Sequence, residues 1–321
     1  MHNPAIPSDA NALLSAYGLR PRKRWGQNFL CDQNVLNRIA GAGALQSGDH
    51  VLEIGPGLGG LTRTLASQCE SVTAVEIDPL MEPILKETLA DYPNVRVIIA
   101  DFLKLDLGRL IDAMRGITKR PTDLTTEGEV ENEEERRTQQ AAPQHPTPNT
   151  LYPRVKVVAN IPYYITTPIL ERLLEQKGRI DTIVLLVQQE VAERMTAKAG
   201  TEGYGSLSVF IQYHAKAEIV AKISKHVFMP PPDVSSVLIR LTPVVPGTVE
   251  VRDETTFFKI VRSAFCQRRK TILNAVSTGG IGLDREATQA LLARAGIDPI
   301  RRGETLSPEE FARLANSVEP E

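Results

Sequence analysis

The chain has 321 residues, 42% of them hydrophobic and 24% charged, which predicts one large domain plus a smaller one, each with its own core. No apolar run approaches a membrane span, and no basic-then-apolar signal opens the chain. The three cysteines, Cys31, Cys69 and Cys266, lie far apart, so a cytoplasmic protein without disulfides or metal is expected. A formal net charge of -2 argues against a uniformly basic nucleic-acid binder, so local clusters carry the information instead.

Residues 1–19 read as an N-terminal tail, followed by a basic cluster of Arg20, Arg22, Lys23 and Arg24. From His50 onward, short Val- and Ile-rich runs alternate with helical stretches. His50–Ile54, Ser71–Ile77, Val95–Ala100, Val155–Ala159 and Ile180–Val187 read as strands buried on both faces. Leu61–Gln68, Pro79–Asp91 and Pro168–Gln176 read as the helices between them. Ala217–Ile223 and Val234–Leu241 are two further strands, expected at an antiparallel edge. This alternation predicts a doubly wound, Rossmann-like α/β domain over 20–243.

Residues 119–150 interrupt it with seven acids against four bases and four prolines, leaving the rest of the chain at a net +1. That composition cannot offset its own ordering entropy and predicts a disordered acidic insertion. Thr242–Asp253 reads as a linker. Glu254–Thr278, Asp284–Ala295 and Ser307–Val318 then predict a small C-terminal helical domain over 252–321. Within its first helix, Arg268, Arg269 and Lys270 form a second basic cluster. Ser307 followed by Pro308 is a helix-start signal.

Two motifs carry chemistry. The run Glu53-Ile54-Gly55-Pro56-Gly57-Leu58-Gly59-Gly60 follows the first strand and opens a helix. Glycines there let the backbone approach a nucleoside ligand, and Glu76, 21 residues beyond Gly55, can accept from ribose hydroxyls. This pattern fits both NAD and S-adenosylmethionine. Asp101 ends the third strand, where its carboxylate either accepts from an adenine amino group or caps the next turn.

The second motif, Asn160-Ile161-Pro162-Tyr163-Tyr164, ends the fourth strand at the sheet's carboxyl edge. It can serve as a plain turn. It can also serve methylation of adenine N6, whose lone pair is delocalised into the ring. The Asn160 oxygen and a carbonyl beside Pro162 could accept both amino hydrogens, while Tyr163 offers a face for stacking.

These blocks together resemble the bacterial small-subunit ribosomal RNA adenine dimethyltransferases. Arg22–Leu30 resembles that family's N-terminal signature, Glu53–Gly60 its glycine loop and Asn160–Tyr163 its catalytic motif. Phe228-Met229-Pro230-Pro231-Pro232-Asp233-Val234 and Ala264–Thr271 complete a likeness covering roughly 20–316. Trp25, where the family commonly has Phe or another apolar residue, and the insertion 119–150 depart from it.

The resemblance implies an S-adenosylmethionine-dependent methyltransferase domain with a small C-terminal helical domain. It implies that Gln27, Asn28, Leu30, Gly55, Gly57, Glu76, Asp101 and Asn160 border the cofactor. Asn160, Tyr163 and Phe228 would hold a flipped adenine, with Arg22, Lys23, Arg24, Arg268, Arg269 and Lys270 on RNA. The implied partner is 16S ribosomal RNA in immature small subunits, bound by a monomer without membrane or metal. The implied targets are two adjacent adenines in a hairpin near its 3′ end, since unpaired bases splay out readily. A resistance-type 23S ribosomal RNA methyltransferase, an NAD-dependent oxidoreductase and a non-catalytic assembly factor remain as alternatives.

Overall fold

The computed structural model describes residues 2–22, 26–117, 153–176, 178–244 and 249–318. The insertion expected to be disordered, and Lys23, Arg24 and Trp25 of the N-terminal signature, lie outside the described residues.

The strands are β1 (Phe29–Leu30), β2 (His50–Ile54), β3 (Ser71–Glu76), β4 (Val95–Ile99), β5 (Val155–Asn160), β6 (Thr182–Gln188), β7 (Ala215–Ile223), β8 (Phe228–Met229) and β9 (Ser236–Pro243). Seven form one sheet in the order β4-β3-β2-β5-β6-β9-β7. Neighbours from β4 to β6 run parallel, and β9 pairs antiparallel with β6, as the edge reading expected. Val51, Leu52, Val72, Val157, Val158 and Leu185 are all at most 1% exposed, because helices cover both faces. Strand order reverses between β2 and β5. Their carboxyl ends therefore diverge into a crevice, the place where such sheets bind ligands.

By contacts the chain divides into two units. Residues up to 189 join 219–243, and 190–218 join the chain from 244 onward. The linker expected over Thr242–Asp253 marks one crossing between the units and does not account for 190–218. Tyr204 and Val209 explain the difference, since they pack in one core with Phe257, Ile260 and Phe311. Tyr204 is fully buried and its hydroxyl donates to the Leu306 carbonyl at 2.8 Å.

Three local expectations need correction. The N-terminal tail contains a helix, Pro7–Ala16, whose Ala10, Leu13 and Leu14 are buried. The stretch 79–91 begins as a tight 3-10 turn, Pro79–Met81, because Asp78 caps it, and its α-helix runs only over Glu82–Thr88. The long helix expected over 254–278 is two, Glu254–Cys266 and Ile272–Ser277, with Thr271 capping the second through the Asn274 N–H. Arg268, Arg269 and Lys270 consequently sit on the exposed turn between helices.

Candidate functional site

A cleft of about 860 Å³, counting its open mouth, lies at the carboxyl ends of β2, β3 and β5. It brings together Gln27, Asn28, Leu30, Gly55, Gly57, Glu76, Asn160 and Tyr163 from segments far apart in the chain. Pro4 and Glu53 also line it.

The glycine loop is built by close approach. Gly57 has φ +56°, a conformation that favours glycine, and a Cβ there would crowd the Phe29 ring at 3.0 Å. Its N–H donates to Glu76 Oε2 at 3.2 Å, while the Asp78 N–H donates to Glu76 Oε1 at 2.9 Å. Glu76 is 4% exposed. Burial raises its pKa, and these two N–H groups partly oppose the shift. Its carboxylate thereby ties the loop to the end of β3, with lone pairs left to accept from a ligand.

Glu53 is more deeply buried, and its Oε2 has no hydrogen-bond partner. Burial pushes its pKa up to about 8, with the Thr62 hydroxyl opposing the shift and the nearby charge of Glu76 adding to it. A buried carboxyl group at the cleft wall is chemically suited to hydrogen-bond the hydroxyl and amino groups of a ligand such as S-adenosylmethionine. The donor set therefore fits that cofactor.

The N-terminal wall is held by Asp78, a residue that motif reading missed. Gln27 Nε2 donates to Asp78 Oδ2 at 3.2 Å, and Gln27 Oε1 accepts from the Arg22 N–H at 2.9 Å. Arg22 also reaches Asp78, with Nη1 3.5 Å from Oδ1. Arg22 is thus partly committed to this wall. Its nearness in sequence to Glu76 was the available signal for Asp78.

On the opposite wall, Asn160 ends β5. Its Nδ2 donates to the Asn28 carbonyl at 3.3 Å. A carbonyl can only accept, so the amide group must face it, and Oδ1 is turned elsewhere. Pro162 leads into a 3-10 turn, Tyr163–Ile165, in which Thr166 Oγ1 donates to the Tyr163 carbonyl at 3.0 Å. Burial raises the Tyr163 phenol, and a hydrogen bond with Ser236 partly opposes this. Tyr163 therefore stays protonated near neutrality. Tyr164 next to it is 57% exposed.

Two expected site residues lie off the cleft lining. Asp101 Oδ1 accepts from the Leu103 N–H at 3.0 Å and so caps the following turn. Phe228 is 4% exposed within the core, packed in one cluster with Leu30 and Leu36, and its backbone pairs with Leu30. It supports the wall from behind. In the second unit, Arg268 Nη2 donates to the Tyr204 carbonyl at 2.8 Å.

The profile of the family described as ribosomal RNA adenine dimethylase matches residues 18–319. The chain is 44% identical, over 99% of its own length and 100% of the relative's, to ribosomal RNA small subunit methyltransferase A of Moorella thermoacetica. Among solved structures it is similar to the 23S rRNA methyltransferase ErmE, with a TM-score of 0.59 and 27% identity over 90% of this chain and 99% of that one. A dimethyladenosine transferase from Plasmodium falciparum shares the fold, with a TM-score of 0.64 and 22% identity over 88% of this chain and 94% of that one. The glycine loop, the β5 motif and a match that spans both units lead to one assignment: the chain belongs to the ribosomal RNA adenine dimethylase family.

Proposed function

We propose that this chain is the small-subunit enzyme of its family, methylating N6 of two adjacent adenines near the 3′ end of 16S ribosomal RNA. The observation that carries the reading is Asn160, locked by Asn28 at the carboxyl end of β5 in the same cleft as Glu76 and Tyr163. The 44% full-length identity to a small-subunit enzyme supports this substrate over 23S RNA.

S-adenosylmethionine, when bound, supplies an electrophilic methyl group. Glu76, Gly55, Gly57, Gln27, Asn28 and Leu30 would hold it. Asn160 Oδ1 accepts one hydrogen of the adenine amino group and so draws the lone pair out of conjugation with the ring. Tyr163 offers its ring for the base to stack on, worth about 1–3 kcal/mol. Its protonated phenol is not a base, and none is required, because an amine that has gained a methyl group becomes acidic and releases its proton to water. Positioning is the main contribution and can supply about 7–11 kcal/mol.

Arg269 and Lys270, exposed on the turn before Thr271, suit phosphate contacts, with Lys23 and Arg24 as further candidates by sequence. No helix among the described residues is long and apolar enough to cross a membrane. The partner proposed is the immature small subunit, bound in the cytoplasm by a monomer, and the full-length likeness to a small-subunit methyltransferase supports the subunit as partner. The test is transfer of tritiated methyl groups to unmethylated small subunits, compared with naked large-subunit RNA. Label in the small subunit supports the assignment, and label confined to large-subunit RNA would reverse it.

A further inference from the structure

The Tyr163 and Ser236 hydroxyls share a hydrogen bond of 2.6 Å across 73 residues of chain. Ser236 is completely buried and opens β9, where it stands opposite Gln188 of β6 in the antiparallel ladder. A side chain in such a place has its backbone fixed by the sheet and no water to turn toward. A lone serine hydroxyl there is costly unless it is bonded, and its bond goes to the tyrosine of the β5 motif.

The segment containing Phe228 and Ser236 therefore reaches both walls of the cleft. At its start, Phe228 pairs with Leu30 on the N-terminal wall. Near its end, Ser236 takes hold of Tyr163 on the other.

We propose that Ser236 is a positioning residue, whose buried hydroxyl fixes the Tyr163 ring at the angle on which the target base docks. This rests on the reading above that Tyr163 faces the acceptor base. Pro162 restrains the backbone before the ring, and Thr166 closes the turn after it. Neither constrains the far end of the side chain. The Ser236 bond does, and it removes the ring's freedom to tilt before substrate arrives. Stacking then requires no further ordering of the ring, so the advantage appears in methyl transfer and not in cofactor binding.

The test compares wild type, Ser236→Ala, Tyr163→Phe and the double variant on unmethylated small subunits at saturating S-adenosylmethionine. Each single change removes the same hydrogen bond. Each should lower kcat by roughly 2- to 10-fold, with cofactor affinity unchanged, and the double variant should be no worse than the poorer single one. Wild-type kcat in Ser236→Ala, or losses that multiply in the double variant, would overturn the proposal.

A second measurement needs no substrate. The order parameter of the Cζ-side of an isotope-labelled Tyr163 ring, read by NMR relaxation in the free protein, should fall in Ser236→Ala as the ring gains freedom to tilt. An unchanged order parameter also overturns the proposal. Wild type that transfers nothing to small subunits, yet shows the looser ring in Ser236→Ala, would instead locate the failure in the functional reading.

Discussion

The Asn160 side-chain amide donates to the backbone carbonyl of Asn28, 132 residues earlier in the chain. This contact joins the two walls of the cleft and decides which end of the amide is offered to a substrate. Asn160→Ala should lower kcat by about 100-fold or more while RNA affinity changes little, since the lost acceptor matters mainly in the transition state. Asn160→Asp should also be poor, because it turns a carboxylate oxygen toward the Asn28 carbonyl. Steady-state kinetics with filter-binding affinities checks both. Asp at wild-type rate would contradict the role given to the Asn28 contact.

Glu76 links the glycine loop to β3 through the Gly57 and Asp78 N–H groups. Glu76→Ala should weaken S-adenosylmethionine and S-adenosylhomocysteine binding by roughly 10- to 100-fold, in keeping with lost hydrogen bonds to a charged acceptor. Isothermal titration measures this. Unaltered affinity, or binding of NAD in place of the sulfonium compound, would refute the placement of the cofactor.

Glu53 makes stability depend on pH. Its pKa stands at about 8 in the folded protein, against an ordinary 4.5. Between these values the folded state keeps a proton that the unfolded state has released, so stability falls as pH rises through the window. The slope is at most about 1.4 kcal/mol per pH unit. Urea unfolding of the free protein at pH 5.5 and 7.5 should show wild type losing stability, with Glu53→Gln losing less. Equal slopes would show that Glu53 is ionised throughout.

The parallel strands and the cleft's glycine loop were legible in the sequence because both are local. Val- and Ile-rich runs announce strands buried on two faces, and the glycines mark a strand-turn-helix junction. What could not be read are contacts that only the sheet brings about. Asp78 meets Gln27 from 51 residues away, and Ser236 meets Tyr163 from 73, with no periodicity to reveal either. Phe228 was singled out only because its motif resembles the family's, and nothing local in the sequence revealed that its side chain is buried in the core cluster that holds Leu30. The break near residue 270 is different. Thr271 is a good helix cap and was a visible signal, outweighed by the apolar pattern on either side of it.

The basic turn should separate into two roles. Arg268 donates to the Tyr204 carbonyl, so Arg268→Ala should cost about 1 kcal/mol of stability, read by denaturant unfolding. Arg269→Glu with Lys270→Glu should leave stability unchanged, weaken RNA binding and flatten its salt dependence. A salt slope that stays the same would assign Arg269 and Lys270 to solvent.

Nucleoside mapping of the product tests the central claim most directly. Small subunits lacking the modification are incubated with the protein and S-adenosylmethionine, and the 16S RNA is digested and read by mass spectrometry. The account predicts N6,N6-dimethyladenosine at two adjacent adenines of a hairpin near the 3′ end, abolished by Asn160→Ala. Dimethyladenosine appearing in 23S RNA instead, or full modification by Asn160→Ala, would contradict it.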